Sequence, residues 1–245
     1  PEQLSRAVWI YGERAIAAAT PYLPESFHAP GAKHLLFKGH CSEHDVAELV
    51  AQAGDDRRVV IGLGGGALLD TVKAVARRLA LPVVAIPTIA ATCAAWTPLS
   101  VWYNDAGQAL HFEIFDDANF LVLVEPHIIL EAPAEYLLAG IGDTLAKWYE
   151  AVVLAPEPES LPLTVRLGIN GALAIRDVLL DSSEAALADQ ARGEVTQAFR
   201  DVVDAIIAGG GMVGGLGERY TRVAAAHSVH NGLTVLPQTE KYLHG

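Results

Sequence analysis

The sequence predicts an α/β half followed by an all-helical half, and three observations carry that expectation. Short, fully apolar runs alternate with helical patterns through the first half. From about Pro133 the apolar residues recur every three or four positions instead, which is helical spacing. The 245-residue chain is also 51% apolar and only 19% charged, enough apolar material for a sizeable core and too little charge for general disorder.

Taken in order, residues 7–11, 35–37, 59–61 and 83–86 read as strands, with a helix over 67–81 between the last two. Unbroken apolar strands flanked by helices fit a parallel sheet covered on both faces. Residues 99–103 and 109–115 flank the turn Asn104-Asp105-Ala106-Gly107 and predict a hairpin standing off that sheet. Residues 120–124 then return as a buried strand. Helices are expected over 134–155, 161–180 and 194–208, with Pro156-Glu157-Pro158 as a helix-breaking loop. The glycine-rich run 209–217 reads as close backbone packing between helices rather than as a linker. These elements divide the chain into an α/β nucleotide-binding domain over 1–133 and a helical metal-binding domain over 134–245.

Seventeen Lys and Arg stand against twenty-nine Asp and Glu, a net charge of −12. No large basic face is available, which excludes nucleic acid and anionic membrane as expected partners. Cys41 and Cys93 share no metal-type spacing and suit a reducing compartment. No charged-then-apolar leader precedes Leu4, and no apolar stretch reaches the length of a membrane span. A cytoplasmic protein of small-molecule chemistry is the expectation.

Three segments carry chemistry. In Val59-Val60-Ile61-Gly62-Leu63-Gly64-Gly65-Gly66-Ala67, four glycines lie between a strand and a helix start. Glycine there permits positive φ and, lacking a Cβ, lets backbone amides and the helix dipole approach a phosphate. The spacing is neither the dinucleotide fingerprint nor a triphosphate loop, and a ligand-free tight turn is the bland alternative. After the next strand, Thr88, Thr92 and Thr97 lie in a loop of small residues that either lines a cofactor cleft or packs beneath the hairpin. In the helical half, Asp143 follows Gly140-Ile141-Gly142 at what reads as a helix opening, where an N-cap is its default role. His227 and His230 share one helical face, and His244 follows after Pro237. One carboxylate with two or three imidazoles suits a catalytic divalent metal such as Zn²⁺ or Fe²⁺, although a histidine pair on an apolar helix is more often a core feature.

Read together, Gly64-Gly65-Gly66-Ala67-Leu68-Leu69-Asp70-Thr71-Val72-Lys73, Ile86-Pro87-Thr88-Ile89-Ala90-Ala91-Thr92, Ala139-Gly140-Ile141-Gly142-Asp143 and Ala226-His227-Ser228-Val229-His230-Asn231-Gly232, with Leu243-His244-Gly245, resemble the iron-containing (group III) alcohol dehydrogenase family, in its glycerol-dehydrogenase-like branch. The resemblance implies a Rossmann-like parallel-sheet domain followed by an all-α domain, the architecture shared with dehydroquinate synthase, and an active site in the cleft between them. It implies that Asp143, His227 and His244 hold one divalent metal ion, and that Gly64, Gly65, Gly66, Ala67, Asp70, Thr88, Thr97, Leu99 and Tyr103 line the nicotinamide cofactor. His230 is expected beside the reacting centre as a proton relay, with Tyr103 as the alternative. A homo-oligomer is the expected assembly.

Two departures from the branch sharpen the expectation. Glycerol dehydrogenases resembling this chain carry an aspartate at the position of Cys93, so Cys93 removes a negative charge from the substrate pocket. That favours a 2-oxo acid and its 2-hydroxy acid, such as 2-oxobutanoate or 2-oxoglutarate, over glycerol or another polyol, with Arg222, Lys147 or Lys241 as candidates to pair with the carboxylate. At the end of the first strand, Gly12 stands where relatives using NAD(H) place a ribose-gripping acid. With Arg14 nearby, NADP(H) is expected over NAD(H), although Glu13 lies one residue away. The resemblance also calls for more helix after His244 than the chain supplies. A dehydroquinate synthase-like lyase and a catalytically inactive nucleotide-binding remnant are the rival readings.

Overall fold

The computed structural model describes residues 2–155, 157–222, 224–239 and 242–245. They fall into two compact units, Pro1–Ile89 with Ala94–Ile129, and Ala90–Cys93 with Leu130–Gly245.

The first unit runs α1 (Glu2–Ser5), β1 (Ala7–Tyr11), α2 (Glu13–Ala19), β2 (Lys33–Leu36), α3 (Glu43–Ala53), β3 (Val59–Gly64), α4 (Gly66–Leu79), β4 (Val83–Pro87), β5 (Leu99–Tyr103), β6 (Ala109–Ile114), β7 (Leu121–Val122) and α5 (Pro126–Leu130). Five strands form one parallel sheet in the order β2-β1-β3-β4-β7. Every residue of β3 is buried, as the unbroken apolar run requires of a strand covered on both faces. In that order the chain moves outward from β1 to β2 and, on the other side, from β3 to β4. The carboxyl ends of β1 and β3 therefore make the topological switch point, the place where open parallel sheets bind ligands.

Residues 120–124 do not make the expected buried strand. Only Leu121–Val122 pairs, on β4 alone at the sheet's edge, and Phe120, Leu121 and Leu123 are exposed. An edge strand has one neighbour and one free side, so apolar composition alone overstated its burial. The hairpin forms as a separate two-stranded sheet of β5 and β6, with a bulge between Trp102 and Tyr103. Gly107 takes φ +76° in its turn and donates its N–H to the Asn104 carbonyl at 2.9 Å.

The second unit contains α6 (Ala134–Leu154), α7 (Leu163–Arg192), α8 (Gln197–Asp204), a π-helical turn (Ala205–Gly209), α9 (Gly210–Gly217) and α10 (Ala225–Leu233). Helix α7 runs twelve residues beyond the expected end at Leu180, because neither Gly nor Pro interrupts 181–192. Gly193, in the left-handed region at φ +70°, caps it. Helix α8 begins at Gln197 rather than 194. Thr196 is its cap and accepts the Phe199 N–H, and the Thr196 hydroxyl is tied to Asp189. The glycine-rich run is helical, against glycine's propensity, and close packing explains it. A Cβ on Gly168 would lie 2.7 Å from the Gly217 nitrogen, and one on Gly209 would lie 2.8 Å from the Ile175 side chain. Pro156 of the expected helix-breaking loop lies outside the described residues.

Candidate functional site

In the first unit, Gly65 caps α4 in an extended conformation (φ −86°, ψ −175°) and Gly66 opens the helix, with Ala67 exposed beside it. None of these four glycines uses the positive φ that glycine permits. What the glycines supply is room. A Cβ on Gly62 would lie 2.7 Å from Val72, one on Gly64 2.8 Å from Leu68, and one on Gly65 2.7 Å from Ile89. The run lets α4 lie hard against β3, which brings the helix's amino end to the switch point. Thr88 is buried, and its N–H is bonded to the Gly64 carbonyl at 3.1 Å, which ties the following loop to the same turn. Thr97, Leu99 and Tyr103 are half-buried.

Asp70 is 7% exposed, and its carboxylate is engaged by Lys73 Nζ at 2.8 Å and by the Val101 N–H at 3.1 Å. Lys73 also donates to the carbonyls of Ala94 (2.8 Å), Thr97 (3.1 Å) and Leu99. The pair is a buried lock that fixes the loop and hairpin bearing Thr97, Leu99 and Tyr103 on α4. Burial pushes the Tyr103 phenol's pKa up, with the charge of Asp70 adding to it.

In the second unit, Asp143 lies in the middle of α6, nine residues after its start, and is not the N-cap that its neighbouring glycines suggested. Those glycines instead allow close approach by other segments. A Cβ on Gly140 would lie 2.0 Å from the Ala90 carbonyl oxygen, and one on Gly142 would lie 2.6 Å from the Gly245 carbonyl oxygen. With the chain able to pass so closely, His244 Nε2 comes within 3.2 Å of Asp143 Oδ1, and His227 Nε2 within 3.3 Å of the same oxygen. Asp143, His227 and His244 each present one ligand atom, all within 4.8 Å of one another. A cavity of about 210 Å³ opens on them, lined by Gly142, Asp143, Ala146, Ala226, His227, His230, His244 and Gly245.

Charged and polar neighbours set the protonation of the cluster. Burial alone would push the Asp143 carboxyl up, yet the hydrogen bonds from His227 and His244 and the Lys147 charge hold it far below the usual carboxylate range. The hydrogen bond to Asp143 outweighs burial at His227 and raises it. His230 is lowered, first by burial and then by the neighbouring His244 and His227, so its imidazole is neutral near pH 7. Its ring meets that of His244 edge-on at 4.2 Å. Burial pulls Lys147 down, but Cys93, Asp143 and Glu150 together outweigh it and keep the ammonium charged. Lys147 hydrogen-bonds the Cys93 sulfur, and Gly210, having no side chain, leaves room for both. Arg222 donates to the Gly214 carbonyl at 3.0 Å, and Lys241 lies outside the described residues.

The donor set fits a divalent metal. A tetrahedral ion with bonds of about 2.0–2.1 Å separates its ligand atoms by about 3.3 Å, close to the 3.2 and 3.3 Å seen around Asp143 Oδ1. Three protein donors would leave a coordination position open toward the cavity. Glu150 belongs to this neighbourhood, a role the sequence alone does not assign to it. The signal was legible in spacing, since Asp143, Lys147 and Glu150 stand at i, i+4 and i+7 and share one face of α6.

The chain thus combines a glycine turn at the switch point of an open parallel sheet with a carboxylate–bis-imidazole cluster able to hold a metal ion. Residues 2–126 match the model of the family described as iron-containing alcohol dehydrogenase. All of the chain aligns, at 81% identity over 244 residues, with hydroxycarboxylate dehydrogenase A of Escherichia coli (strain K12), covering 67% of that protein. It aligns at 37% identity with the glycerol dehydrogenase of Thermotoga maritima, covering 68% of it. The crystal structure of glycerol dehydrogenase from Schizosaccharomyces pombe superposes with a TM-score of 0.82 at 30% identity, over 97% of this chain and 61% of that one. The chain thus spans about two thirds of the length of these relatives. It belongs to the iron-containing alcohol dehydrogenase family, and its class is that of the metal-dependent dehydrogenases. Among the described residues, no helix is long and apolar enough to cross a membrane.

Proposed function

We propose that this protein transfers hydride between NADP(H) and a 2-oxo acid/2-hydroxy acid pair, with a divalent metal, Zn²⁺ or Fe²⁺, held by Asp143, His227 and His244. The observation that carries this is the convergence of one buried carboxylate and two imidazoles on a cavity. The bound ion would polarise a carbonyl oxygen and favour alkoxide character there during hydride transfer. His230 lines the same cavity with a neutral imidazole and serves to pass the proton. In the first unit, the amino end of α4 (Gly64, Gly65, Gly66, Ala67) offers amides and a helix dipole to the cofactor's phosphates, and Thr88, Thr97, Leu99 and Tyr103 flank it. Asp70 serves the same surface by fixing the loop and hairpin.

The choice of a 2-oxo acid rests on Cys93, which brings no carboxylate to Lys147, and on the name of the 81%-identical relative. The choice of NADP(H) rests on the end of β1, where Gly12 has no side chain, Glu13 pairs with Lys38 at 3.6 Å, and Arg14 is exposed. Small-molecule turnover in the cytoplasm, by a homo-oligomer, completes the proposal. Neither cysteine is in a disulfide, and Leu110, Phe112 and Ile114 line an exposed face of β6 that an assembly would cover.

The test is steady-state oxidation of NADPH and NADH by metal-loaded protein, over a panel of 2-oxo acids and with glycerol in the reverse direction. Faster reduction of 2-oxobutanoate or 2-oxoglutarate than oxidation of glycerol, with NADPH preferred, is expected. The reverse substrate order would favour the glycerol dehydrogenase reading that several relatives' names suggest. Bound metal without turnover of any of these would favour an inactive remnant.

A further inference from the structure

Helix α10 carries His227, and its capping position is Ala224, which has no side-chain oxygen to offer. The missing acceptor comes from 74 residues away. Glu150 Oε1 accepts the N–H of Ala224 at 3.0 Å and that of His227 at 3.1 Å, while Glu150 Oε2 meets His227 Nδ1 at 2.7 Å. Glu150 is only 5% exposed, so these bonds form away from competing water. One carboxylate thus caps a helix and orients the ring of a residue on that helix.

We propose that Glu150 is the positioning residue of the metal site, an assignment that rests on the metal-binding reading of Asp143, His227 and His244. A carboxylate oxygen accepts, so the ring nitrogen facing it must carry the hydrogen. Nδ1–H of His227 is therefore committed to Glu150, and Nε2 is the nitrogen aimed at Asp143 and the cavity. The hydrogen bond raises the basicity of the ring and fixes its plane, as the outer partners of metal-binding histidines generally do. Because the same carboxylate holds the Ala224 and His227 amides, ring and backbone are set together. Three acceptor contacts on two oxygens also make the position intolerant of an amide. A glutamine can offer its one oxygen either to the ring or to the two amides, and its NH₂ group would then face a donor.

The experiment titrates the metal-stripped protein with Zn²⁺ against a competing chromophoric chelator, and then with Co²⁺, whose d–d absorption reports ligand geometry at saturation. Wild type, Glu150→Gln, Glu150→Ala and Glu150→Asp are compared, with circular dichroism to verify folding. Glu150→Gln and Glu150→Ala should bind Zn²⁺ about 10–100-fold more weakly. Their Co²⁺ bands should shift even when the site is filled, which a purely structural cap would not cause. Glu150→Asp, keeping both oxygens, should recover part of the affinity. Folded Glu150→Gln that binds Zn²⁺ within twofold of wild type, with an unchanged Co²⁺ spectrum, would overturn the assignment of Glu150 alone. A wild type that takes up neither ion would overturn the metal site itself, and the positioning role with it.

Discussion

Replacing Lys73 with methionine isolates the lock between α4 and the loop that follows β4. Lys73 is 3% exposed, and its ammonium is shared among Asp70 at 2.8 Å and the carbonyls of Ala94, Thr97 and Leu99. Methionine fills similar volume, so the loss is electrostatic rather than a cavity. It leaves the Asp70 carboxylate buried with only the Val101 N–H at 3.1 Å as partner, and strands three carbonyls. Breaking a buried pair by removing one partner costs about 3–5 kcal/mol. For a chain of this size that is a fall in Tm of about 6–20 °C, at about 2–4 °C per kcal/mol. The assay is thermal and urea unfolding of Lys73→Met, Asp70→Asn and the double variant. In the double variant no charge is left unpaired, so its loss should be smaller than the sum of the single losses by more than about 1 kcal/mol. Single losses that add to within about 0.5 kcal/mol would refute a coupled lock.

Two glycines of the helical unit should respond oppositely to alanine. Gly140→Ala drives a Cβ to 2.0 Å from the Ala90 carbonyl, where backbone must move. Differential scanning calorimetry should show a loss of about 3 kcal/mol. Gly171→Ala meets nothing nearer than Val213 at 3.4 Å and should be neutral or gain up to about 1 kcal/mol from helix propensity. Burial, reinforced by the nearby Asp70 charge, pushes the Cys41 thiol from 9.0 up to about 12. Because the native state keeps this proton after the unfolded chain has lost it, stability should fall as pH rises from about 9 towards 12, by roughly 1.4 kcal/mol per unit. At pH 8 iodoacetamide should label Cys41 only in denaturant, as mass spectrometry of digested protein would reveal. His230→Phe should lower turnover far more than metal content, and unchanged turnover would remove the proton-relay role.

Much of this was legible in the sequence because it is written in local pattern. The apolar run at 59–61 reads as a strand covered on both faces, and Asn104 to Gly107 as a tight turn; both form, the strand running on to Gly64. The candidate ligands Asp143, His227 and His244 were legible as residue types, and His244 reaches Asp143 where Gly142 leaves room for the Gly245 backbone. The misjudged features were set by tertiary context. Glycines at 62–66 read as a tight strand-to-helix turn, but pattern alone does not show how closely Val72, Leu68 and Ile89 pack over them. Asp143 beside two glycines looks like a cap, but those glycines admit the Ala90 and Gly245 backbones to the face of a continuous helix. Residues 120–124 look buried because composition does not say which strand is the edge. The roles of Glu150 and Lys73 are not written in local pattern, because they are set by partners as far as 77 and 26 residues away in the chain.

The central claim is that Asp143, His227 and His244 together hold one divalent ion. Metal-stripped wild type and Asp143→Asn, each equilibrated with Zn²⁺ or Fe²⁺ under reducing conditions and desalted, can be compared by inductively coupled plasma mass spectrometry. About one equivalent per chain in the wild type, and loss of it in a folded Asp143→Asn variant, is the predicted result. Equal occupancy in the two proteins, or none in the wild type, would contradict it.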